Sequence, residues 1–443
     1  MTLMPAHPER PMRILLIAYE FPPSPSPQSL RWTYLSRELH RLGHEIHVLT
    51  IDLGGSTPGL PALPAGITVH RTYPGHVRGL IARRRRYLER TRSTAAAAAD
   101  TARPASTAAP SRKGWKHQVS ATLQKIGEYL WFPDLRGEWY ASARGRMAEL
   151  LARLQPDVVI SSHEPATTLQ LGLQARQSGF HWVADLADPV LAPYTLGRWK
   201  ARARKLEADV CNLADHILVT TPSARQLLLD RHAGAAPITV LTQGFDDAGA
   251  PDVRADATDT GVLEMLYTGS FYAFRTADVL LRAVLDTPGV RLNVATIRLP
   301  ESVLAASRQH PDRIRLLGFL PHLDALEWQR NADVLVNLAN RDPSQVPGKC
   351  YEYMGAGRPI LHLGDDDDDA VARQVVSLQR GWVCKPDPAA LTALLRQLVQ
   401  LRSEGRLTEG LSLDRPSVAE FGWSRLASRL DAVLRERRAR ATG

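Results

Sequence analysis

The chain has 443 residues, 44% of them hydrophobic and 23% charged, and a formal net charge of +9. Single hydrophobic cores stop growing at about 250 to 300 residues, so this length implies two domains, in the composition of an ordinary soluble globular protein. No stretch approaches the ~20 apolar residues of a spanning helix, and the positive charge asks for an anionic partner: a phosphate donor, an acidic lipid surface or nucleic acid.

Cys211, Cys350 and Cys384 are far apart, odd in number and without a C-x-x-C spacing. Neither a disulfide framework nor a zinc site is indicated, and no metal is expected. Met1 to Met12 is polar and proline-rich, and the apolar run after it is too short for a secretory signal. A cytoplasmic location is expected, with any membrane contact peripheral, at the inner membrane surface.

Arg13 to Tyr19 is a continuous apolar run and reads as a buried strand. A Pro- and Ser-dense loop runs from Glu20 to Ser29. From Gln28 the pattern turns helical, with Trp32, Leu35, Leu39 and Leu42 on one face, stopped by Gly43, and Glu45 to Thr50 is the next strand. Such a strand, helix, strand unit belongs to nucleotide-type folds. Its first loop lacks G-x-G-x-x-G, which argues against NAD or FAD, and no cofactor is expected.

Arg83 to Lys116 breaks this alternation with four consecutive arginines and an Ala-, Thr-, Ser- and Arg-rich stretch. It reads as a mobile basic insertion, either a solvated arm or a segment that meets a membrane surface or captures an acceptor. Trp115 and Tyr129 to Pro133 either give it an apolar edge or belong to the core.

Pro156 to Ser161 and His181 to Asp185 are further strands. Parallel sheets put their chemistry beyond the carboxyl ends of strands, where Ser162-His-Glu-Pro165 and Leu186-Ala-Asp-Pro189 fall. His163, Glu164, Asp185 and Asp188 are therefore site candidates, with a hydrogen-bonded structural role as the alternative for each. Asp215 to Thr220 and Ile238 to Thr242 continue the pattern. Ala248 to Thr260, rich in Ala, Gly, Asp and Pro and without a period, reads as an interdomain linker.

The alternation restarts with a strand over Leu263 to Thr268 and a helix over Ala277 to Leu285. Between them, Gly269 lets backbone approach a ligand, and Arg275, near the helix start, is placed for a diphosphate. Arg291 to Ile297, Ile314 to Phe319, Asp333 to Leu338 and Ile360 to Leu363 are the next strands, and helices cover Pro388 to Leu401 and run onward from Trp423. Asp365 to Asp369 reads as a solvated charge run, since five consecutive carboxylates on one loop cannot converge on one ion.

Val346-Pro-Gly-Lys-Cys-Tyr-Glu-Tyr-Met-Gly-Ala-Gly-Arg-Pro-Ile360 concentrates the chemistry. Pro347 and Gly348 suit a helix start, Gly357 its left-handed stop, and Pro359 prevents continuation. Lys349 and Glu352 share one face of the first turn, where free N–H groups and the positive dipole end favour an anionic ligand. The alternative is a solvated lysine and a glutamate that only complements the dipole; a capping box would need Ser or Thr where Lys349 stands.

The run P-G-K-x-x-E-Y-x-x-x-G-R-P-I resembles the nucleotide-sugar signature of retaining glycosyltransferases of family 4 and its relatives, enzymes of the GT-B architecture. That resemblance implies an α/β protein of two facing Rossmann-like domains with a cleft between them. Residues 12–247 would form the acceptor-side domain with the insertion at 83–116, 248–262 the linker, 263–420 the donor domain, and 421–443 a closing helix that returns to the first domain. Gln243-Gly-Phe-Asp246 matches, with Gln for Asn, the N-G-x-D at which the family's first domain ends.

By the same resemblance Glu352 holds the ribose hydroxyls, while Lys349 and Arg275 serve the diphosphate. Gly318-Phe319-Leu-Pro321 is similar to the family's base-contacting loop, and Gly269, Ser270, Ser344, Gln345, Gly348 and Tyr351 complete the donor side. The loop after the first strand, which in the family lies near the donor phosphates, offers Ser29 and Arg31; Arg31 is otherwise a surface helix residue. The segment D-L-A-D-P resembles the D-x-R-D-P run of one branch, with Ala187 in place of the arginine. His163 and Asp188 would join the catalytic set, with Glu164 and Asp185 on the acceptor side.

The implied reaction moves a sugar, with retention and without a metal, from a GDP- or UDP-linked donor. Its acceptor would be a small molecule of specialised metabolism or a lipid-linked or polysaccharide precursor. Rival readings are a sugar-nucleotide epimerase or phosphorylase on a related fold, and a non-catalytic membrane- or nucleic-acid-binding protein. Most of the basic arm lacks interleaved aromatics, which argues against nucleic acid.

Overall fold

A computed structural model describes residues 10–57, 59–98, 131–192, 195–248, 261–272, 276–340, 345–364 and 369–442. Among them, strands β1 (Arg13–Ala18), β2 (Glu45–Ile51), β3 (Thr68–Thr72), β4 (Val158–His163), β5 (Trp182–Leu186), β6 (His216–Val219) and β7 (Ile238–Val240) form one parallel sheet. Its order is β3-β2-β1-β4-β5-β6-β7. A second parallel sheet has the order β10-β9-β8-β11-β12-β13, built from β8 (Leu263–Thr268), β9 (Val290–Ala295), β10 (Ile314–Gly318), β11 (Val334–Leu338), β12 (Ile360–Leu363) and β13 (Gly381–Cys384).

The unbroken apolar run of β1 follows from helices on both faces of the sheet. Ile14 and Leu16 pack with Trp32, Leu35 and Leu39 of the helix Pro27–Arg41, while Leu15 and Ile17 point the other way, onto Trp139 and Met147. Alternate residues thus enter two separate cores, the signature of a doubly covered parallel sheet. In the second domain, Met265 and Tyr267 of β8 enter one core and Leu266 the other, beside Tyr353 and Met354.

Phe245 joins the domains: its N–H donates to the Phe421 carbonyl (3.1 Å), and its own carbonyl accepts from Trp423 N–H (3.1 Å). The helix Trp423–Thr442 then lies on the first domain, as expected. Trp423, Leu426, Ala427, Leu430 and Leu434 are buried in the core that holds Trp32 and Leu35, and Trp423 stacks on Tyr34 at 5.7 Å. Each large apolar side chain so buried contributes roughly 1.5–3 kcal/mol. The chain's end is thereby fastened to its beginning, and the two domains are held face to face.

Two strands had no sequence reading, β3 and β13. Both are sheet edges, and their burial is sparse, so neither shows the apolar run that marks a central strand. The basic stretch from Arg83 is helical as far as Ala98, within the helix His76–Ala98. Its start is capped from afar, because the Glu138 carboxylate accepts from Val77 and Arg78 N–H (3.1 and 2.9 Å). The rest of that stretch, Trp115 and Tyr129, and linker residues 249–260 lie outside the described residues. Phe132 is core, edge-on to Trp199. Asp365 to Asp368 also lie outside the described residues, while Asp369 caps the helix Ala370–Ser377 and accepts from His362 Nε2 (3.0 Å).

Candidate functional site

In the second sheet, strand order reverses between β8 and β11, and such reversals open a crevice beyond the carboxyl ends of the strands. The loop after β8 begins with Gly269, whose φ of +129° disfavours any side chain. A Cβ there would stand 3.4 Å from Lys349 Nζ. Lys349 is the second residue of the helix Gly348–Ala356, which follows β11. Pro347 occupies the N-cap and Gly357 ends the helix in the left-handed region at φ 69°. Tyr353 fixes this helix to β8, its hydroxyl accepting from Thr268 N–H (3.1 Å) and lying 2.9 Å from Thr268 Oγ1.

Lys349 Nζ donates to the Thr268 carbonyl (3.1 Å) and sits 4.3 Å from the centre of the Tyr267 ring. A carbonyl and a ring face thus fix the ammonium beside Gly269, at the crevice. Glu352, one turn on, has different neighbours: Gln329 Nε2 donates to it (3.4 Å) and His322 Nδ1 stands 3.9 Å away. It lines a cavity of about 360 Å³ together with Asp246, Arg330 and Arg415. Lysine and glutamate therefore reach towards the end of β8 and the helix His322–Asn331 respectively.

Of the other donor-side candidates, Phe319 is half exposed just beyond β10, and Gly348 abuts Gln243 of the first domain. Ser270 contributes its carbonyl to Tyr267 Oη–H (3.0 Å). Gln345 reaches across the cleft, its Nε2 donating to Asp188 Oδ1 (3.1 Å). Arg275 and Ser344 lie outside the described residues. Tyr351 is a correction: it is buried, edge-on to Phe421 at 5.1 Å, and burial pushes its phenol up to about 12. It anchors the helix instead of facing a ligand.

In the first sheet the order reverses between β1 and β4, and His163 closes β4 at that point. Its Nδ1–H donates to the Asp188 carbonyl (3.0 Å), and its own carbonyl accepts from Gln28 Nε2 (2.7 Å). Burial holds the imidazole below its usual range, the nearby Glu164 opposing this, so the ring is neutral near pH 7 with Nε2 as its acceptor. Glu164 pairs with Arg136 (3.2 Å), itself gripped by Asp134.

Arg31 and Asp185 are the larger correction. Both side chains are fully buried and face each other, Nη2 to Oδ1 at 3.1 Å and Nε to Oδ2 at 3.3 Å. Arg31 also donates to the Thr242 and Leu241 carbonyls (2.7 and 3.0 Å), and Asp185 accepts from Trp32 Nε1–H (2.9 Å). A buried ion pair persists only when its remaining valences are filled in this way; four of the five Arg31 N–H donors are so used, and neither side chain is exposed to meet an acceptor. Ser29 is likewise fully buried. These three residues brace the sheet behind the cleft.

Sequence reasoning missed Tyr34 and His322, which meet across the cleft at 3.0 Å, Oη to Nε2. Tyr34 lies off the helix's Trp32-Leu35-Leu39 stripe, yet it is 2% exposed, and an aromatic off the stripe was the available signal. His322 carries no motif; only its place at a helix start, after Pro321, sets it apart.

Two Rossmann-like domains with parallel sheets, strand-end polar groups facing each other and a last helix returning to the first domain define the GT-B architecture. Solved structures agree. Sucrose-phosphate synthase from Thermosynechococcus elongatus is similar at 15% identity, over 96% of this chain and 98% of that one, with TM-score 0.63. AviGT4, a glycosyltransferase involved in avilamycin A biosynthesis, aligns at 14% identity over 97% and 98%, with TM-score 0.53. A putative UDP-N-acetylglucosamine 2-epimerase from Listeria monocytogenes aligns at 12% identity over 96% of each chain, with TM-score 0.51. No curated protein matches by sequence. Residues 28–244 match the family described as "Glycosyl transferase 4-like domain", so the chain carries a glycosyl transferase 4-like domain on the GT-B scaffold.

Proposed function

We propose that the protein transfers a sugar from a nucleoside diphosphate, UDP- or GDP-linked, to an acceptor held by the first domain, with retained configuration and without a metal ion. The observation that carries this reading is the convergence of Lys349, the Gly269 turn and the N-terminus of the helix Gly348–Ala356 at the β8/β11 crevice. As the glycosidic bond breaks, the leaving diphosphate gathers charge, and a fixed ammonium at a helix N-terminus stabilises it more in the transition state than in the ground state. Arg275 would add a second cation.

Glu352 would hold the ribose hydroxyls, which is binding and orientation rather than bond chemistry. The leaving phosphate itself takes the acceptor's proton on the face from which the sugar departs, so no carboxylate pair at hydrolase spacing is required. His163, neutral and oriented by the Asp188 carbonyl, would offer Nε2 to the sugar or the acceptor. The acceptor would be a small molecule of specialised metabolism or a lipid-linked or polysaccharide precursor.

Incubating the protein with UDP- and GDP-sugars tests the reading. Release of nucleoside diphosphate that needs an acceptor, with an axial or equatorial product bond matching the donor, supports it. An isomerised nucleotide sugar formed with no acceptor present would replace it with the epimerase reading.

A further inference from the structure

The helix His76–Ala98 leaves the carboxyl end of β3 on the cleft side of the first sheet, and its first three turns have two unlike faces. Inward go Arg78, Ala82 and Arg86, at spacings of four. The Arg78 guanidinium lies 5.5 Å over the Tyr19 ring beyond the end of β1, Ala82 is 3% exposed, and Arg86 pairs with Asp52. Outward go Leu80, Arg83, Arg84 and Tyr87, at spacings of three, four and seven, which a helix places on one side. Leu80 is 68% exposed and Tyr87 67%, with Ile81 at 50% and Tyr73 at 47% beside them.

Exposed aliphatic and aromatic side chains interleaved with arginines form a surface that water alone does not favour. The geometry points to this face as a docking surface for a bilayer of anionic phospholipids. Leu80 and Ile81 gain nothing from a nucleic-acid backbone, whereas acyl chains reward them, and lipid phosphates match Arg83 and Arg84. Tyr73 and Tyr87 suit the headgroup level, where an amphipathic ring has one end apolar and one wet. Because Arg78 ties the helix to Tyr19, this surface lies at the rim of the first domain's half of the cleft. The inference does not depend on the proposed reaction.

Sedimentation of the full chain with vesicles tests it, comparing phosphatidylcholine alone with phosphatidylcholine mixed with phosphatidylglycerol. Binding to the mixed vesicles only is expected. Arg83→Gln with Arg84→Gln should weaken it about tenfold or more, since each basic residue near an anionic surface contributes roughly fivefold. Leu80→Ser with Tyr87→Ser should make the remaining binding fully salt-reversible. All four positions are exposed, so unchanged melting temperatures confirm that the variants are folded. No sedimentation with either vesicle, or binding that both double variants leave intact, overturns the inference. So does binding to single-stranded nucleic acid, lost in the arginine variant, without vesicle binding.

Discussion

The two walls of the cleft hold their charges in opposite ways. On the second domain's wall, Lys349 rests on a carbonyl and the faces of aromatic rings. On the first domain's side, Arg31 is closed off against Asp185 and two carbonyls, with no exposure at all. One cation is set at the crevice beside Gly269; the other is enclosed in a buried ion pair. Chemistry is therefore expected to depend on the lysine and folding on the arginine, although each stands on a helix that follows a strand at a reversal of sheet order.

Separating these roles is the way to break the comparison. Arg31→Met leaves Asp185 buried without its partner and should cost about 3–5 kcal/mol, read as a lower midpoint in urea unfolding; an unchanged midpoint would end the distinction. Lys349→Ala should do the reverse, lowering kcat by roughly a hundredfold or more while the melting temperature stays near that of the parent. Glu352→Ala should weaken nucleotide binding by about 1–3 kcal/mol in calorimetric titration, as expected for a lost charged hydrogen-bond partner, and affect kcat less.

A smaller effect sharpens the contrast further, since a buried base in the first domain should be recorded in the pH dependence of stability. Burial, then the neighbouring His47 ring (3.2 Å) and Arg146 and Arg153, lowers the His70 pKa from 6.5 to about 4. Below pH 6.5 the unfolded chain takes up a proton that the folded chain refuses, so its contribution is complete above that value and is lost as pH falls towards about 4. His70→Gln should flatten the stability profile across that window, and an unaltered slope would assign acid lability elsewhere.

The structure of the second domain's wall was legible because one linear stretch encodes it. Pro347, Gly348, Gly357 and Pro359 fix the helix, and Lys349 and Glu352 stand at set positions on it. Strands such as Leu263–Thr268 and Ile360–Leu363 were legible to the residue, because central strands covered on both faces are mostly apolar, here interrupted only by Glu264, Thr268 and His362. The first domain's wall was not. Whether Arg31 faces solvent or Asp185 depends on pairings across 154 and 210 residues, which no spacing reports. Tyr351 was misjudged for the same reason: next to Glu352 in sequence, it lies on the helix's buried side. Tyr34 and His322, 288 residues apart, meet across the two domains, which no spacing reports either.

The central claim is that Glu352 and Lys349 grip one nucleoside diphosphate from two directions. Thermal denaturation with saturating UDP and GDP tests it most directly. The parent protein should be stabilised by one of them, by about 2.7 kcal/mol at a hundred times its Kd, and Glu352→Ala should lose most of that shift. An equal shift in parent and variant, or no shift in the parent with either nucleotide, would contradict the account.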